Sequence, residues 1–470
     1  VPAPKPAIAP PNKTDTVTTP SPSADRKPIA TPAPELTKMP IPDAANKPLT
    51  LDQALEIAFK NSPDIRIALD QVEKSRGVID EAKAKFNPTF NVSVSGTLQG
   101  PTSSVTLPGS PPIQIVPPSA ASGTLAFLLP LDVSRRLSYS SDMALYQFQA
   151  QYLSMVATSE KLILNVKSSF YNLLRTCAQC DVAQSAVNVS QARLDNTRLK
   201  QKAGTVPLFD LATAEVDFAN LNQQLIMAQN QMYIAQAAFN SAIGINVNNP
   251  TQVVRDAVKI DVSSVDIPKT IEKAYARRPE MKADQMAVVL NETNVKLQKA
   301  QLMPSLNLSS GVVYNFEPSG FSSATTSWQT TLGLSFPLWD GGVAHAKVRE
   351  AKADVQNSAD VLNQYKLTVA QDVRTAALNV QEAALRTNTT SQAVALAQEA
   401  FRLANIRYSS GISILVEVTN AESQLTQAQG YYVNAQYDYA VALAQLQRAT
   451  SSQPELDHLQ LLAGSAKADR

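Results

Sequence analysis

Net charge, histidine, cysteine and long apolar runs are all scarce in this chain of 470 residues. Lys+Arg number 41 against 40 Asp+Glu, so no global field draws nucleic acid or an anionic membrane surface. No run approaches the roughly 20 apolar residues of a membrane helix. The opening VPAPKPAIAPP holds no apolar signal-peptide core and no N-terminal Cys for a lipid anchor, so the reading is of a chain whose signal peptide is already gone or never present. The two cysteines, Cys177 and Cys180, lie in RTCAQCD inside a helical pattern. His345 and His458 are the only histidines, which leaves a zinc site short of its usual four ligands. The pair reads as two small apolar residues on one helix face, open to bonding in an oxidising compartment. There is no nucleophile–base pairing, no Gly-rich phosphate loop and no metal-ligand cluster. An enzyme is not expected, nor a cofactor or metal.

What is present is organised by proline and by repetition. Residues 1–48 hold thirteen of the thirty prolines and are expected to form a disordered tether. Residues 451–470 read as a short tail. Between them the chain repeats itself. Pro63 answers Pro279 (279−63=216) and Pro88 answers Pro304 (304−88=216). Beyond the first strand the offset becomes 207: Pro130-Leu131 matches Pro337-Leu338, Gly204 matches Gly411, Asp210 matches Glu417, and Ala214-Glu215 matches Ala421-Glu422. The nine-residue change falls in a connection between strands. The expected organisation is a first repeat at 49–245, a connecting segment at 246–270 and a second repeat at 271–450. Each repeat reads helix, strand, strand, very long helix, tight turn, helix.

The strands alternate. In 89–98, Phe90, Val92, Val94 and Leu98 oppose Asn91, Ser93, Ser95 and Thr97. In 305–316, Leu306, Leu308, Val312 and Tyr314 oppose Ser305, Asn307 and Ser309; in 327–338, Trp328, Leu332, Leu334 and Phe336 oppose Gln329, Thr331 and Ser335. The strand at 122–131 is apolar on both faces. Runs of about ten residues with an uncharged polar face and aromatics near their ends suit a membrane barrel better than a soluble sheet.

The helices at about 138–202 and 342–408 have no proline and no internal glycine. Each would span roughly 95–100 Å at ~1.5 Å per residue, the length of a coiled-coil strut. Each ends in a hairpin, KQKAGTVPLFDL and RYSSGISILVEV, with Gly204 and Gly411 placed for left-handed caps and Pro207 for a helix start. Returning helices are expected at about 208–243 and 414–449, and further helices at 63–86 and 279–302. Four strands cannot close a membrane barrel, and open edges are not tolerated in lipid. A ring of three chains would supply twelve strands.

The element order, the duplication, the strand openings NPTFNVSVS and MPSLNLSSG, FPLWDGG, and the hairpins AGTVPLFDL and SGISILVEV resemble the TolC family of outer-membrane efflux proteins over about residues 49–450. The resemblance implies a mixed α and β fold: an outer-membrane β-barrel of four strands per chain, twelve in a trimer, continued by a long α-helical coiled-coil barrel in the periplasm. It implies a homotrimer set in outer membrane lipid. That trimer would be the passive exit duct of a tripartite efflux or type I secretion system, with a periplasmic adaptor and an inner-membrane ABC or proton-driven pump. In the family the adaptor meets the hairpin tips, which here are Ala203, Gly204, Thr205, Ser410, Gly411 and Ile412. The periplasmic gate would map to Glu417, Asn420, Asp210 and Tyr408. The family has two acidic residues where Glu417 and Asn420 stand, so only one carboxylate per chain is kept. An Arg often found two residues after the second tip glycine is Ser413 here, which implies a weaker latch. The rival reading is a soluble coiled-coil interaction protein with a small sheet domain.

Overall fold

The computed structural model describes residues 48–106, 108–109, 112–116, 118–255, 260, 265–317 and 324–452. All but Pro48 of the expected tether, and all but Ser451 and Ser452 of the expected tail, lie outside these residues. The chain begins with helices α1 (Leu51–Asn61) and α2 (Pro63–Ala84). Strand β1 (Thr89–Leu98), a small hairpin of β2 (Ser103–Val105) and β3 (Ile113–Val116), and β4 (Ser119–Leu131) follow. The first half ends with α3 (Arg136–Lys202) and α4 (Leu208–Ala242). The second half runs α5 (Ile267–Arg277), α6 (Pro279–Ala300), β5 (Ser305–Asn315), β6 (Thr326–Ser335), α7 (Val343–Ser409) and α8 (Leu415–Ala449). The corresponding helices have equal lengths in both halves: 11, 22, 67 and 35 residues.

Three details differ from the sequence expectation. Each half opens with two helices, because Pro63 and Pro279 start α2 and α6 and force the residue before them out of helical geometry: Ser62 has ψ 122° and Arg278 ψ 124°. Helix α5 therefore begins inside the segment 246–270 that was read as a connection. The longer connection of the first half carries the β2–β3 hairpin. Strand β6 stops at Ser335 and does not run through Leu338, since Pro337 has no N–H to donate to a ladder.

The four main strands pair antiparallel in the order β1-β4-β5-β6. The register places Val92 opposite Leu125, Leu125 opposite Val312, and Val312 opposite Trp328. Phe90 lies opposite Phe127, and Leu129, Leu308 and Leu332 form another row. These side chains share one face, as the period of two requires. The other face carries Asn91, Ser95, Ser122, Asn307, Ser309 and Gln329; β4 is mixed, adding Ala126, Leu128 and Pro130 there. The apolar face is bare within the chain: Phe90 is 67% exposed and Trp328 76%. Two polar residues of this face, Ser310 and Thr330, are cross-strand partners whose hydroxyls hydrogen-bond each other at 2.9 Å.

Both sheet-to-helix junctions turn on a carboxylate. Asp132 accepts from the N–H of Leu137 (3.0 Å), the N–H of Ser138 (2.8 Å) and the Ser138 hydroxyl (2.6 Å). Asp340 accepts from the N–H of Gly342 (2.9 Å) and of Ala344 (2.6 Å). Free N–H groups at a helix start favour an anion. For Asp132, partial burial acts upward but the Ser138 hydroxyl and three backbone N–H groups outweigh it, and the carboxyl is lowered. Asp340 is lowered by the N–H of Ala344 above all. Both contributions are present above the ordinary carboxylate range and fade as pH falls below it.

Helix α3 is central. It packs against α1, α2 and α4 of its own half and α6 and α8 of the other. Among the described residues, α7 packs substantially against α5, α6 and α8 alone. Its far side carries Leu367, Leu378, Leu385, Leu396 and Leu403, all exposed, Leu367 at 73%. Their spacing of 11, 7, 11 and 7 residues repeats every 18, five helical turns, so they form one straight stripe.

Candidate functional site

The functional features expected from sequence gather at the ends of the two helical hairpins. At the first, α3 ends in a Schellman turn. The N–H of Gly204 donates to Gln201 at 2.9 Å and that of Thr205 to Lys200 at 3.0 Å, with Gly204 at φ 73°. The Thr205 hydroxyl also donates to the Lys200 carbonyl, at 2.9 Å. Pro207 precedes the first residue of α4. The second tip repeats the turn: Gly411 donates to Tyr408 at 3.0 Å and Ile412 to Arg407 at 2.9 Å, with Gly411 at φ 72°. Ala203 and Ser410 are the two C-cap residues, both exposed, and Ile412 is 72% exposed.

Tyr408 joins the hairpins. It packs with Leu211 and Phe218 on a small core of Leu194, Ala214 and Leu415, and the Lys200 ammonium stands 5.1 Å from its ring centre. Burial first, and then the nearby charge of Asp210, raise the Tyr408 phenol. Tyr408 of the second hairpin thus packs on residues of the first, within the field of Asp210. Glu417 sits in the first turn of α8, 3.4 Å from the Arg407 guanidinium, and accepts from the Ser413 hydroxyl. Its charge is therefore balanced within its own hairpin by Arg407, which the sequence reading missed. Asn420 is exposed one turn on.

Deeper in the bundle lies a second group that the sequence reading missed. Arg193 of α3 bridges Asp217 of α4, at 3.2 Å, and Glu422 of α8. Arg193 and Glu422 are largely buried, and burial raises the Glu422 carboxyl against the pull of Arg193. Glu422 had drawn notice only as the repeat partner of Glu215, and the repeat counterpart of Arg193 is Ala400 (193+207=400), so comparison of the halves gave no signal for the bridge. Further along the same seam, Asp438 accepts from Arg175 (3.3 Å) and Arg386 (3.0 Å), and Gln179 donates to Asn434 at 2.7 Å. Cys177 and Cys180 are free and half-buried on α3, Cys177 against the main apolar core. Burial raises both thiols, so neither is a ready nucleophile. No His/Cys/Asp/Glu group fit to hold a metal occurs among the described residues, and no described helix is long and apolar enough to cross a membrane.

Comparison with known proteins fits this arrangement. The pyoverdine export outer membrane protein OpmQ of Pseudomonas putida is 24% identical over 409 residues, 85% of this chain and 85% of its own. Outer membrane protein TolC of Vibrio cholerae is 23% identical over 324 residues, 68% of this chain and 73% of its own. In structure the chain is similar to the CmeC outer membrane channel of Campylobacter jejuni, with a TM-score of 0.73 and 16% identity over 87% of this chain and 88% of that one. The profile of the outer membrane efflux protein family matches residues 54–245 and 270–452, one segment in each half of the duplication. The chain belongs to the outer membrane efflux protein family.

Proposed function

We propose that three copies of this outer membrane efflux protein close into one passive duct. The twelve strands would sit in outer membrane lipid and the helices would continue as a barrel through the periplasm. A periplasmic adaptor and an inner-membrane pump, ABC or proton-driven, would complete the exporter, and no catalytic step is required of this chain. The observation that carries the reading is that several surfaces left bare in one half have a covered counterpart in the other. Strands β4 and β5 pair across the two halves, while β1 and β6 keep one open edge each. Leu415 of α8 is buried on Leu194 and Ala214, yet its repeat counterpart Leu208 (415−207=208) is 69% exposed. The same offset would set Leu208 of one copy against Phe401 and Ala421 of the next. Likewise α3 is covered by α8, and the leucine stripe of α7 awaits an α4 whose Met227 and Ile234 are exposed. A head-to-tail contact that repeats the internal one closes as a ring of three chains where each half turns the next by a sixth of a revolution.

The rival reading, a soluble coiled-coil protein, leaves unexplained why the whole apolar face of the sheet is bare. The ring reading is tested by disulfide trapping. With Cys177 and Cys180 replaced by Ser, Leu208→Cys together with Phe401→Cys is expected to give covalent dimers and trimers. Cross-linking no greater than from either single cysteine overturns it.

Within the ring, the hairpin tips form the periplasmic entrance. Glu417 and Asn420 would line it, and Asp210 and Tyr408 would latch it shut. Ala203, Gly204, Thr205, Ser410, Gly411 and Ile412 would offer the adaptor its landing. Two variants separate these roles. Glu417→Gln should reduce cation preference in planar bilayers, and only modestly, because Arg407 already balances the charge; unchanged selectivity removes Glu417 from the gate. Ile412→Asp should abolish export with trimers intact, and full export would move the landing elsewhere.

A further inference from the structure

Where α5 and α6 meet α7 and α8, one residue arrives from the other half of the chain. Glu160 of α3 is 2% exposed. It accepts from the Ser451 hydroxyl at 3.1 Å and faces the Arg448 guanidinium of α8 at 2.9 Å. Arg448 also donates to Glu280 at the head of α6, and Asp284 lies one turn along that helix. Arg278, just ahead of α6, donates to the Ala449 carbonyl at 2.8 Å and to Asp372 of α7 at 3.2 and 3.3 Å. Tyr365 of α7 stands 3.5 Å from Arg278, and Lys167 of α3 donates to Gln447 at 2.9 Å.

The knot therefore gathers four carboxyl groups (Glu160, Glu280, Asp284 and Asp372) around three cations, the guanidiniums of Arg278 and Arg448 and the ammonium of Lys167. Carboxyl groups outnumber cations by one, and Glu160 at the centre is all but closed to water while Asp372 at the edge is half-exposed. The duplication did not supply this arrangement. The repeat counterparts of Glu160, Arg448 and Arg278 are Leu367 (160+207), Ser241 (448−207) and Ser62 (278−216). The cluster exists at one of two equivalent joints, and its central member crosses the seam between the halves.

We propose that the Glu160 knot is a proton-operated coupling between the two halves of the chain. With Glu160 neutral, Arg448 serves Glu280 and the surplus charge falls by one, so α3 and α8 are held close. With Glu160 ionised, Glu280 and Asp284 repel it, and the strain is relieved by admitting water, which parts the helices. The proton comes from the surrounding medium and returns to it. Burial above all, reinforced by the charge of Glu280 and opposed by Arg448 and Ser451, pushes the Glu160 carboxyl up to about 7. Asp284 is also raised, by burial and by Glu280. The sign follows from linkage. The close form binds the proton more tightly than the parted form, so the close form is favoured at low pH and loses ground as pH rises through about 7. A parted form with an ordinary Glu value shifts the balance about tenfold between pH 6 and pH 8.

The test is hydrogen exchange of the full chain in detergent, followed over 156–164 and 444–452 and corrected for the intrinsic pH dependence of exchange. Exchange in both segments should rise about tenfold from pH 6 to pH 8 in the parent protein, and Glu160→Gln should remove that rise. Because Glu160→Gln could disturb packing, Ser451→Ala provides a second arm: loss of a hydroxyl donor to the carboxylate should move the transition to higher pH. A parent protein whose corrected exchange is flat between pH 6 and 8 overturns the proposal. So does an undiminished rise in Glu160→Gln, or an unmoved transition in Ser451→Ala.

Discussion

Where α1 and α2 meet α3, the joint is filled by Leu55, Ile65, Ile163, Phe170, Leu174 and Phe239, all buried. Where α5 and α6 meet α7, the corresponding layer is thinner. It holds Ala274, Met281, Val369, Val373 and Ala376, with Arg278, Glu280 and Arg448 beside it. The repeat offset turns Phe170 into Ala377 and Phe239 into Leu446. Aromatic volume in one joint is thus replaced by shorter side chains and ions in the other, on nearly the same backbone. An apolar joint responds little to salt or pH. One built on buried ions depends on every charge keeping its partner. The duplicated chain has kept its geometry and divided the chemistry between its halves.

The largest expected effect comes from the aromatic joint. Phe239 is fully buried and packs on Phe170 with ring centres 5.8 Å apart. Phe239→Ala should cost about 3–5 kcal/mol. Leu446→Ala, at the matching site and only half-buried, should cost about 2 kcal/mol or less. Thermal midpoints of the two variants in detergent check this, and equal losses would mean the joints are not different in kind. The smallest effect sharpens the comparison at the helix starts. Arg135 (φ 59°) and Gly342 (φ 89°) hold equivalent left-handed positions, 342−135=207. A Cβ at Gly342 would meet nothing within 4 Å, so Gly342→Ala measures backbone strain by itself, about 1 kcal/mol. Arg135→Gly should recover a similar amount, less the contact of Arg135 over the Tyr139 ring. Opposite shifts of the midpoint are expected, and shifts of the same sign would show that the two starts are not equivalent.

Much of this fold was legible because its signals are local. Alternation in TFNVSVSGTL and SWQTTLGLS marks a face directly, and uninterrupted helical composition between Gly342 and Gly411 leaves α7 little alternative. The tip glycines read correctly because a Schellman turn demands its positive φ at one defined position. Pro63 and Pro279 mark helix starts in the sequence, but nothing beside them tells that α1 and α5 end just before them as separate helices. The ion clusters were not legible. Arg193 and Glu422 are 229 residues apart, and Glu160 and Arg448 are 288. Nothing in helical period tells which charged residue will face another helix's charge and which will face water. The Arg407–Glu417 pair was not legible for a different reason: its members lie ten residues apart across the tip turn, outside the spacing of three or four at which charges pair along one helix.

The hydroxyls of Ser310 and Thr330 sit on the apolar face of the sheet and answer each other. In a lipid-facing setting neither can be exchanged alone for an aliphatic residue without stranding the other, at a cost of about 1–3 kcal/mol. Exchanging both at once removes the problem. The two positions are therefore coupled, although β5 and β6 place them twenty residues apart in the chain. Among homologous chains, substitutions at these sites should arrive in pairs, and a lineage caught with only one should carry a second hydroxyl or amide within reach of the first.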